Sequence, residues 1–310
     1  MVIVLASDNR YVQHCAVVIT SIIENNINED VVFYILTEGI DENNKEKLHS
    51  VEKKYGKTIF IRIVPSDIVK GLPMPSYMSD HISIATYYRL FAASLLPDTL
   101  DKIIYLDSDI VVRQRISDLW NIEMGDSPLA AVYQANEWAD NNGTWERLNI
   151  SREDGYFNAG VLMINLKYWR EQNVQKKLLN YIEKYYEKIH SHDQDTLNAV
   201  LGSKTISLNC KWNLLPFFFE DYTRYSFPQK ANLELINDAI KNPAIVHFVY
   251  KPKPWEAGCS NPFRSEYYKY LSLTPWRGYH HKRDLRKSIK YRFLPFVVFL
   301  LSKIKRRLIR

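Results

Sequence analysis

The sequence predicts an α/β fold: a Rossmann-like, mostly parallel central sheet with helices on both faces. Three observations predict it. Short apolar runs of strand length alternate with stretches of helical periodicity through the first 64 residues, the pattern of strand–helix–strand units with parallel strands. A further apolar run at 102–112 leads straight into a polar cluster, as strand ends do where open α/β sheets bind ligands. Neither an internal repeat nor a low-complexity linker interrupts the chain before residue 277. One catalytic-size domain, 1–276, followed by an appendage, 277–310, is the simplest division.

Taken in order, Val2–Ala6 is a short apolar run that fits a buried strand. Residues 11–26 place Cys15, Val18, Ile19, Ile22 and Ile23 at helical spacing. Strands are expected at 31–36 and 59–64, with a charged surface helix at 41–55 between them. Residues 65–79, with Pro65, Gly71, Pro73 and Pro75, read as a loop. A helix at 84–95, stopped by Pro97, precedes the run 102–112, which reads as one strand. Beyond it come a strand at Leu129–Tyr133, a polar insert at 136–154 and a strand at 160–166. A long helix at 168–189, a shorter one starting near Asp193 and a strand at 244–249 complete the body.

Hydrophobic residues at 46% and charged residues at 25% are ordinary for a globular chain of 310 residues. The 21 Tyr, 13 Phe and 7 Trp suit either a stacking surface or an aromatic core. Cys15, Cys210 and Cys259 are odd in number and far apart, which argues against a disulfide framework or a thiolate metal site. The N-terminus turns polar after a few apolar residues and lacks a basic leader, so it reads as a first strand in a reduced, cytoplasmic protein. The formal net charge of +6 is unevenly spread: residues 277–310 hold twelve Lys/Arg against one acid, Asp284. The body is therefore mildly acidic and the tail basic.

The run Tyr-Leu-Asp107-Ser108-Asp109-Ile-Val sets two carboxylates one residue apart at a strand end. Side chains two apart on a strand share a side, and two acids so placed repel unless a cation sits between them. Hard divalent cations bind carboxylate oxygen at about 2.0–2.6 Å. His247, at the end of another apolar run, would add an imidazole, a mixed set that favours manganese over magnesium. Lys253, six residues on, is placed to meet phosphate oxygens. Ala6, Asp8 and Tyr11 close the first strand; a carboxylate there can accept from a base N–H while a phenol ring stacks, or Asp8 can cap the following helix. Arg89, in an apolar helix, is either a core-spanning ion pair or a substrate binder. Asn158, Ala159 and Gly160 offer amides to sugar hydroxyls, and Gly160 also permits close packing. Ser191 with Gln194 fits a capping box, yet Asp193, Gln194 and Asp195 together exceed what a cap requires.

The segments VLASDNRY (4–11), HISIATYYRL (81–90), DKIIYLDSDIVV (101–112), YFNAGVLMINL (156–166), HDQDTLN (192–198) and VHFVYKPKPW (246–255) together resemble glycosyltransferase family 8. In length and layout the chain is similar to that family's bacterial lipooligosaccharide and lipopolysaccharide α-galactosyltransferases. The resemblance implies a GT-A fold, a UDP-sugar donor, a saccharide or glycolipid acceptor, and retention of anomeric configuration. It implies Mn²⁺, with Mg²⁺ a weaker substitute, on Asp107, Asp109 and His247. Donor contacts would come from Ala6, Asp8, Tyr11, His81, Arg89, Asp107, Ser108, Asp109, Asn158, Ala159, Gly160, Asp193, Gln194 and Lys253. Asp193, Gln194 and Arg89 would serve the chemistry, with Gln194 facing the donor sugar. An amide is a poor nucleophile, so same-face departure and attack is expected, with Asp193 as a transient nucleophile the alternative, and replacing Gln194 should cost turnover more than UDP affinity. Two places depart from the family: the residue three after His247, usually glycine, is Tyr250, and Asn9-Arg10 stands where an acidic or amide pair is commoner.

A phosphatase of the haloacid dehalogenase type is the competing enzyme, because Asp107-Ser-Asp109-Ile-Val111 also fits its signature. That signature normally opens its fold, whereas here about a hundred residues precede it. A sugar-binding protein on an inactive transferase fold is the non-enzyme alternative. In the tail, 293–301 is under half of the roughly 20 residues that span a bilayer. A stripe of Leu285, Ile289, Phe293 and Leu300 flanked by Lys and Arg suits an anionic membrane surface instead. The expectation is a peripheral protein on the inner face of the cytoplasmic membrane, attached through 281–310, with no nucleic-acid partner.

Overall fold

The computed structural model describes residues 1–72, 83–219 and 222–279. His81, the end of the 65–79 loop and the tail 280–310 lie outside the described residues. The main sheet contains β1 (Val2–Ala6), β2 (Val32–Thr37), β3 (Thr58–Ile63), β4 (Lys102–Leu106), β6 (Leu129–Tyr133), β7 (Phe157–Asn165) and β8 (Ile206–Ser207). Among the described residues its order is β3-β2-β1-β4-β7-β6-β8. The pairs β3–β2, β2–β1 and β1–β4 are parallel, and β7 runs antiparallel to both its neighbours. The mostly parallel sheet read from the sequence is therefore the sheet observed.

Residues of β1 alternate between two cores: Ile3 and Leu5 face one, Val4 and Ala6 the other. The first core is filled by helix α1 (Val12–Asn25), whose Cys15, Val18, Ile19 and Ile22 are fully buried. Helix α2 (Glu42–Tyr55) packs beside it on the surface, adding Leu48 and Val51. Its start is fixed by Asp41, whose side chain accepts from Asn44 N, and its end by Gly56 at φ 61°, where a residue with a Cβ would be strained. The cap contributes about 1 kcal/mol. The second core is covered by helices α3 (Leu166–Glu171), α4 (Val174–Tyr185) and α5 (His192–Leu201).

Three expected elements are rebuilt. The run 102–112 is two strands, not one. β4 ends at Leu106, and β5 (Ile110–Val112) leaves the main sheet to pair antiparallel with β9 (Ile245–His247). Hydropathy continues across the break, so periodicity alone did not show it. The helix at 84–95 is a 3-10 helix, Ile84–Phe91, with a final α turn at Ala92–Leu95. The long helix at 168–189 breaks between α3 and α4, where Asn173 takes φ 51°, a conformation asparagine tolerates better than most residues. Helix α6 (Arg264–Leu271) brings the C-terminal part back onto α1: Asn25 Nδ2 donates to Tyr270 Oη at 2.8 Å. No helix among the described residues is long and apolar enough to cross a membrane.

Candidate active site

The turn between β4 and β5 is the centre of the site. Asp107 N donates to Gly160 O at 2.8 Å and Phe248 N to Asp109 O at 2.9 Å, so β7 and the strand carrying His247 pin the turn from both sides. His247 Nε2 lies 3.1 Å from Asp109 Oδ1 and 3.8 Å from Asp107 Oδ2, and ligand atoms of the three residues all fall within 4.8 Å of one another. Neighbouring ligands of an octahedral cation at about 2.1 Å are roughly 3 Å apart, so the cluster suits a divalent ion. The imidazole is braced from behind by Asn213 Oδ1, 2.9 Å from its Nδ1, which leaves Nε2 toward the carboxylates, as metal-binding histidines require. Gly160 makes the space. A Cβ there would sit 2.1 Å from His247 Cε1 and 2.8 Å from Asp107 Oδ2. The residues present therefore fit a divalent cation.

Two basic side chains hold the carboxylates. Lys253 Nζ lies 2.5 Å from Asp109 Oδ2 and donates to Phe248 O at 2.8 Å. Burial, the largest single influence, would raise the Asp109 carboxyl, but Lys253 and His247 together outweigh it and hold the group well below the usual range. Arg89 spans two acids: one guanidinium nitrogen is 2.8 Å from Asp107 Oδ1 and Nε is 2.9 Å from Asp193 Oδ2. It also donates to Ala159 O and lies 4.2 Å from the centroid of the Tyr105 ring. Of the two readings of Arg89, the core-spanning ion pair is thus observed, on the wall of the cleft. Asp193 is 3% exposed. Burial pushes its carboxyl up to about 6, against the pull of Arg89 and of Thr86, whose hydroxyl donates to it.

Gln194 Oε1 accepts from Asn158 Nδ2 at 3.1 Å and from Ala159 N at 3.0 Å, and its Nε2 donates to Tyr156 Oη at 3.1 Å. The amide is therefore fixed at both ends. The expected capping box does not form. Ser191 precedes α5 without a side-chain cap, and Asp195 instead accepts from the backbone N–H of His190 and Ser191 at 2.7 and 2.9 Å. His192, the first residue of α5, takes φ 47°. Its ring is buried, has no partner on either nitrogen among the described residues, and is driven down to about 4 by burial. That turn aims Asp193 and Gln194 into the cleft.

At the other end, Asp8 Oδ1 accepts from Arg10 N and Tyr11 N at 2.8 and 3.1 Å, and Oδ2 pairs with the Arg10 guanidinium at 2.9 Å. Asp8 thus braces the turn before α1, whose N-cap position is Tyr11. Behind the Tyr11 ring stands an aromatic stack. His14 lies edge-on to Tyr11 at 5.0 Å, faces Trp255 at 3.6 Å and meets Tyr279 at 5.6 Å. Its Nδ1 is 2.8 Å from Tyr267 Oη.

The Asp107–Asp109–His247 cluster, Lys253, Arg89, Asp193, Gln194, Asp8 and Tyr11 line one cleft of about 580 Å³, within the range of small-molecule sites. Ala6, Asp8, Tyr11, Arg89, Asp107, Ser108, Asp109, Asn158, Ala159, Gly160, Asp193, Gln194, His247 and Lys253 all contribute to its wall. Thr86, Tyr105, Trp138 and Tyr250 line it too, while Asn213 and Tyr156 support it from behind. None of these six stood out in the sequence except Tyr250, noted as a departure. Tyr250 takes φ 69° and is 51% exposed. Burial of part of the ring raises its phenol, opposed by a hydrogen bond from Trp138.

Residues 2–259 match the family model for glycosyl transferase family 8. The chain belongs to glycosyl transferase family 8. It is 31% identical to General stress protein A of Bacillus subtilis over 89% of this chain and 94% of that protein. It is 26% identical to the Lipopolysaccharide 1,3-galactosyltransferase of Salmonella typhimurium, over 87% of this chain and 77% of the relative. Among solved structures, galactosyltransferase LgtC with donor and acceptor sugar analogues superposes with a TM-score of 0.78 at 27% identity, covering 90% of this chain and 99% of that one. The fold is of the GT-A type. Family membership removes the phosphatase reading, as does the place of the Asp-Ser-Asp turn after the fourth strand instead of the first.

Proposed function

We propose that the protein is a retaining hexosyltransferase that moves a hexose from a UDP-sugar to a saccharide or glycolipid acceptor in cell-surface glycan or lipopolysaccharide synthesis. The observation that carries this reading is the Asp107–Asp109–His247 cluster, closed by Lys253 and sharing a cleft with the fixed amide of Gln194. Galactose is the favoured donor sugar and glucose the next, since the Salmonella relative and the solved neighbour are both named galactosyltransferases.

As the anomeric C–O bond breaks, negative charge develops on the departing UDP. A divalent cation, Mn²⁺ before Mg²⁺, held by Asp107, Asp109 and His247 would supply Lewis-acid stabilisation of the diphosphate. Lys253, already poised against Asp109, adds a positive charge on the same side. Asp8 and Tyr11 receive the uracil; Arg89, Asn158, Ala159 and Gly160 border the sugar, with His81 assigned nearby by the family pattern. Gln194 is uncharged and tethered at both ends, and the Asp193 carboxylate is engaged by Arg89 and Thr86. Neither is a free nucleophile, which favours departure and attack on one face of the sugar, with a UDP oxygen taking the acceptor proton.

The test is a panel of UDP-sugars incubated with the full chain and Mn²⁺, scored for release of UDP. Metal-dependent hydrolysis of UDP-galactose above the others is expected. Binding of UDP without hydrolysis of any member of the panel would instead make the protein a sugar-binding relative. The basic segment 281–310 is proposed to hold the enzyme, peripherally, on the inner face of the cytoplasmic membrane. Deleting it should abolish sedimentation with anionic vesicles and spare UDP-sugar hydrolysis; a truncated chain that still sediments rejects the attachment.

A further inference from the structure

His192 breaks two rules of stable folds at one position. It is the first residue of α5 and takes φ 47°, a left-handed conformation that a residue with a Cβ adopts only under strain. Its side chain belongs to a residue only 2% exposed, yet neither Nδ1 nor Nε2 has a hydrogen-bond partner among the described residues. Buried polar groups ordinarily find partners, because a bare one has given up its hydrogen bonds to water for nothing. Packing does not account for the imidazole. The ring meets Tyr87 edge-on at 5.8 Å between centroids, a contact that an apolar ring makes equally well. Strain and unpaired polarity gathered on one residue are the mark of a binding site.

His192 lines the cleft, immediately before Asp193 and Gln194. Tyr87, against which it packs, belongs to the 3-10 helix Ile84–Phe91 that also carries Thr86 and Arg89, the two partners of Asp193. The imidazole therefore shares the wall assigned above to the hexose. Burial keeps it neutral, so it presents one N–H and one lone pair. Hydroxyl groups both donate and accept and can satisfy either nitrogen, whereas the oxygens of a diphosphate only accept and would leave the lone pair bare. We propose that His192 is a specificity-determining residue whose imidazole hydrogen-bonds a hydroxyl of the transferred hexose. A donor lacking that hydroxyl leaves the imidazole bare in the transition state, which is how a site built to hold a hydroxyl rejects the deoxy sugar. The inference rests on the hexosyltransferase reading of the cleft.

The test crosses His192 variants with deoxy donors in the full chain. His192→Phe keeps a flat ring against Tyr87 and removes both nitrogens. His192→Asn suits the left-handed backbone and is too short to reach the place of the imidazole, so it serves where the larger ring fails to fold. UDP-galactose, UDP-glucose and the monodeoxy analogues of each are incubated with Mn²⁺, and kcat/KM for UDP release is measured. The native chain should lose roughly 100-fold on the analogue missing the hydroxyl that His192 holds. Both variants should lose a similar factor on the complete sugar and show no further loss on that analogue, while penalties at the other hydroxyls persist. Thermal melts without nucleotide should place His192→Asn at or above the native melting temperature. A uniform fall on all donors with every penalty preserved would mean that His192 only shapes the turn before Asp193, and overturns the inference. So does a lowered melting temperature in His192→Asn with turnover and penalties intact, which would make the imidazole a packing group. If the native chain releases UDP from no donor in either series, the hexosyltransferase reading itself fails and the inference falls with it.

Discussion

The inner wall of the cleft and its outer rim are built on opposite principles. On the inner wall, Asp107, Asp109, Asp193, Arg89 and Lys253 are each paired, largely buried, and surrounded by fixed amides. At the rim, Tyr250 stands half exposed on a backbone conformation that costs a non-glycine residue about 1–2 kcal/mol, met by Trp138 from the other side. The difference teaches where the site tolerates change. Removing one partner of a buried ion pair leaves an uncompensated charge, costing roughly 3–5 kcal/mol, whereas a rim side chain can be exchanged at little cost to the fold.

The comparison is broken most severely by Asp109→Ala. Mn²⁺-dependent UDP binding, followed by calorimetry, should fall beyond detection and turnover by roughly 10³-fold or more; retained metal-dependent binding would show that the cluster is not the cation site. Next comes Gly160→Ala, a single added carbon that meets His247 at 2.1 Å. Mn²⁺ affinity should drop about 10–100-fold, while Gly202→Ala, with nothing within 4 Å, should leave it unchanged.

Asp193→Asn sharpens the electrostatic half of the comparison. Its carboxyl ordinarily titrates near 3.8 and is raised to about 6 in the fold. The raised value means that its contribution to stability is fully present below pH 3.8 and is lost as pH rises through 6, on the order of 2–3 kcal/mol. In thermal melts between pH 4 and 7, the native chain should therefore lose stability relative to Asp193→Asn. Parallel curves would reject the assignment. The smallest effect is expected at the rim: Tyr250→Gly relieves the strained backbone but loosens the unfolded chain by a similar amount. Its melting temperature should stay within about 3 °C of native; a larger fall would place Tyr250 with the inner wall.

Part of the site was legible because several of its groups sit at strand ends and break apolar runs: Asp8 after β1, Asp107 and Asp109 after β4, His247 at the end of β9. A polar residue there has to be explained, and the motif order explained it. The supporting shell was not legible. Asn213 and Tyr156 touch their partners across more than thirty residues of sequence, and nothing local distinguishes them from ordinary loop and core residues. Apolar continuity hid the break between β4 and β5, and helical spacing does not separate a 3-10 turn from an α turn over 84–91. The break at Asn173 did have a local signal, an asparagine between two periodic stretches. The Ser191–Gln194 pattern misled because Gln194 is drawn away from the helix end by Asn158, Ala159 and Tyr156.

The aromatic stack behind Tyr11 has a bearing on how the enzyme is made. Asp8 and Tyr11 leave the ribosome long before Trp255, Tyr267 and Tyr279, the residues that complete the ring platform behind them. A nascent chain that has already extruded every acid of the cation cluster still lacks that platform. That end of the cleft is finished only when the segment carrying these three rings has been synthesised and folded back against α1, so completion of the cleft is a late event in biogenesis.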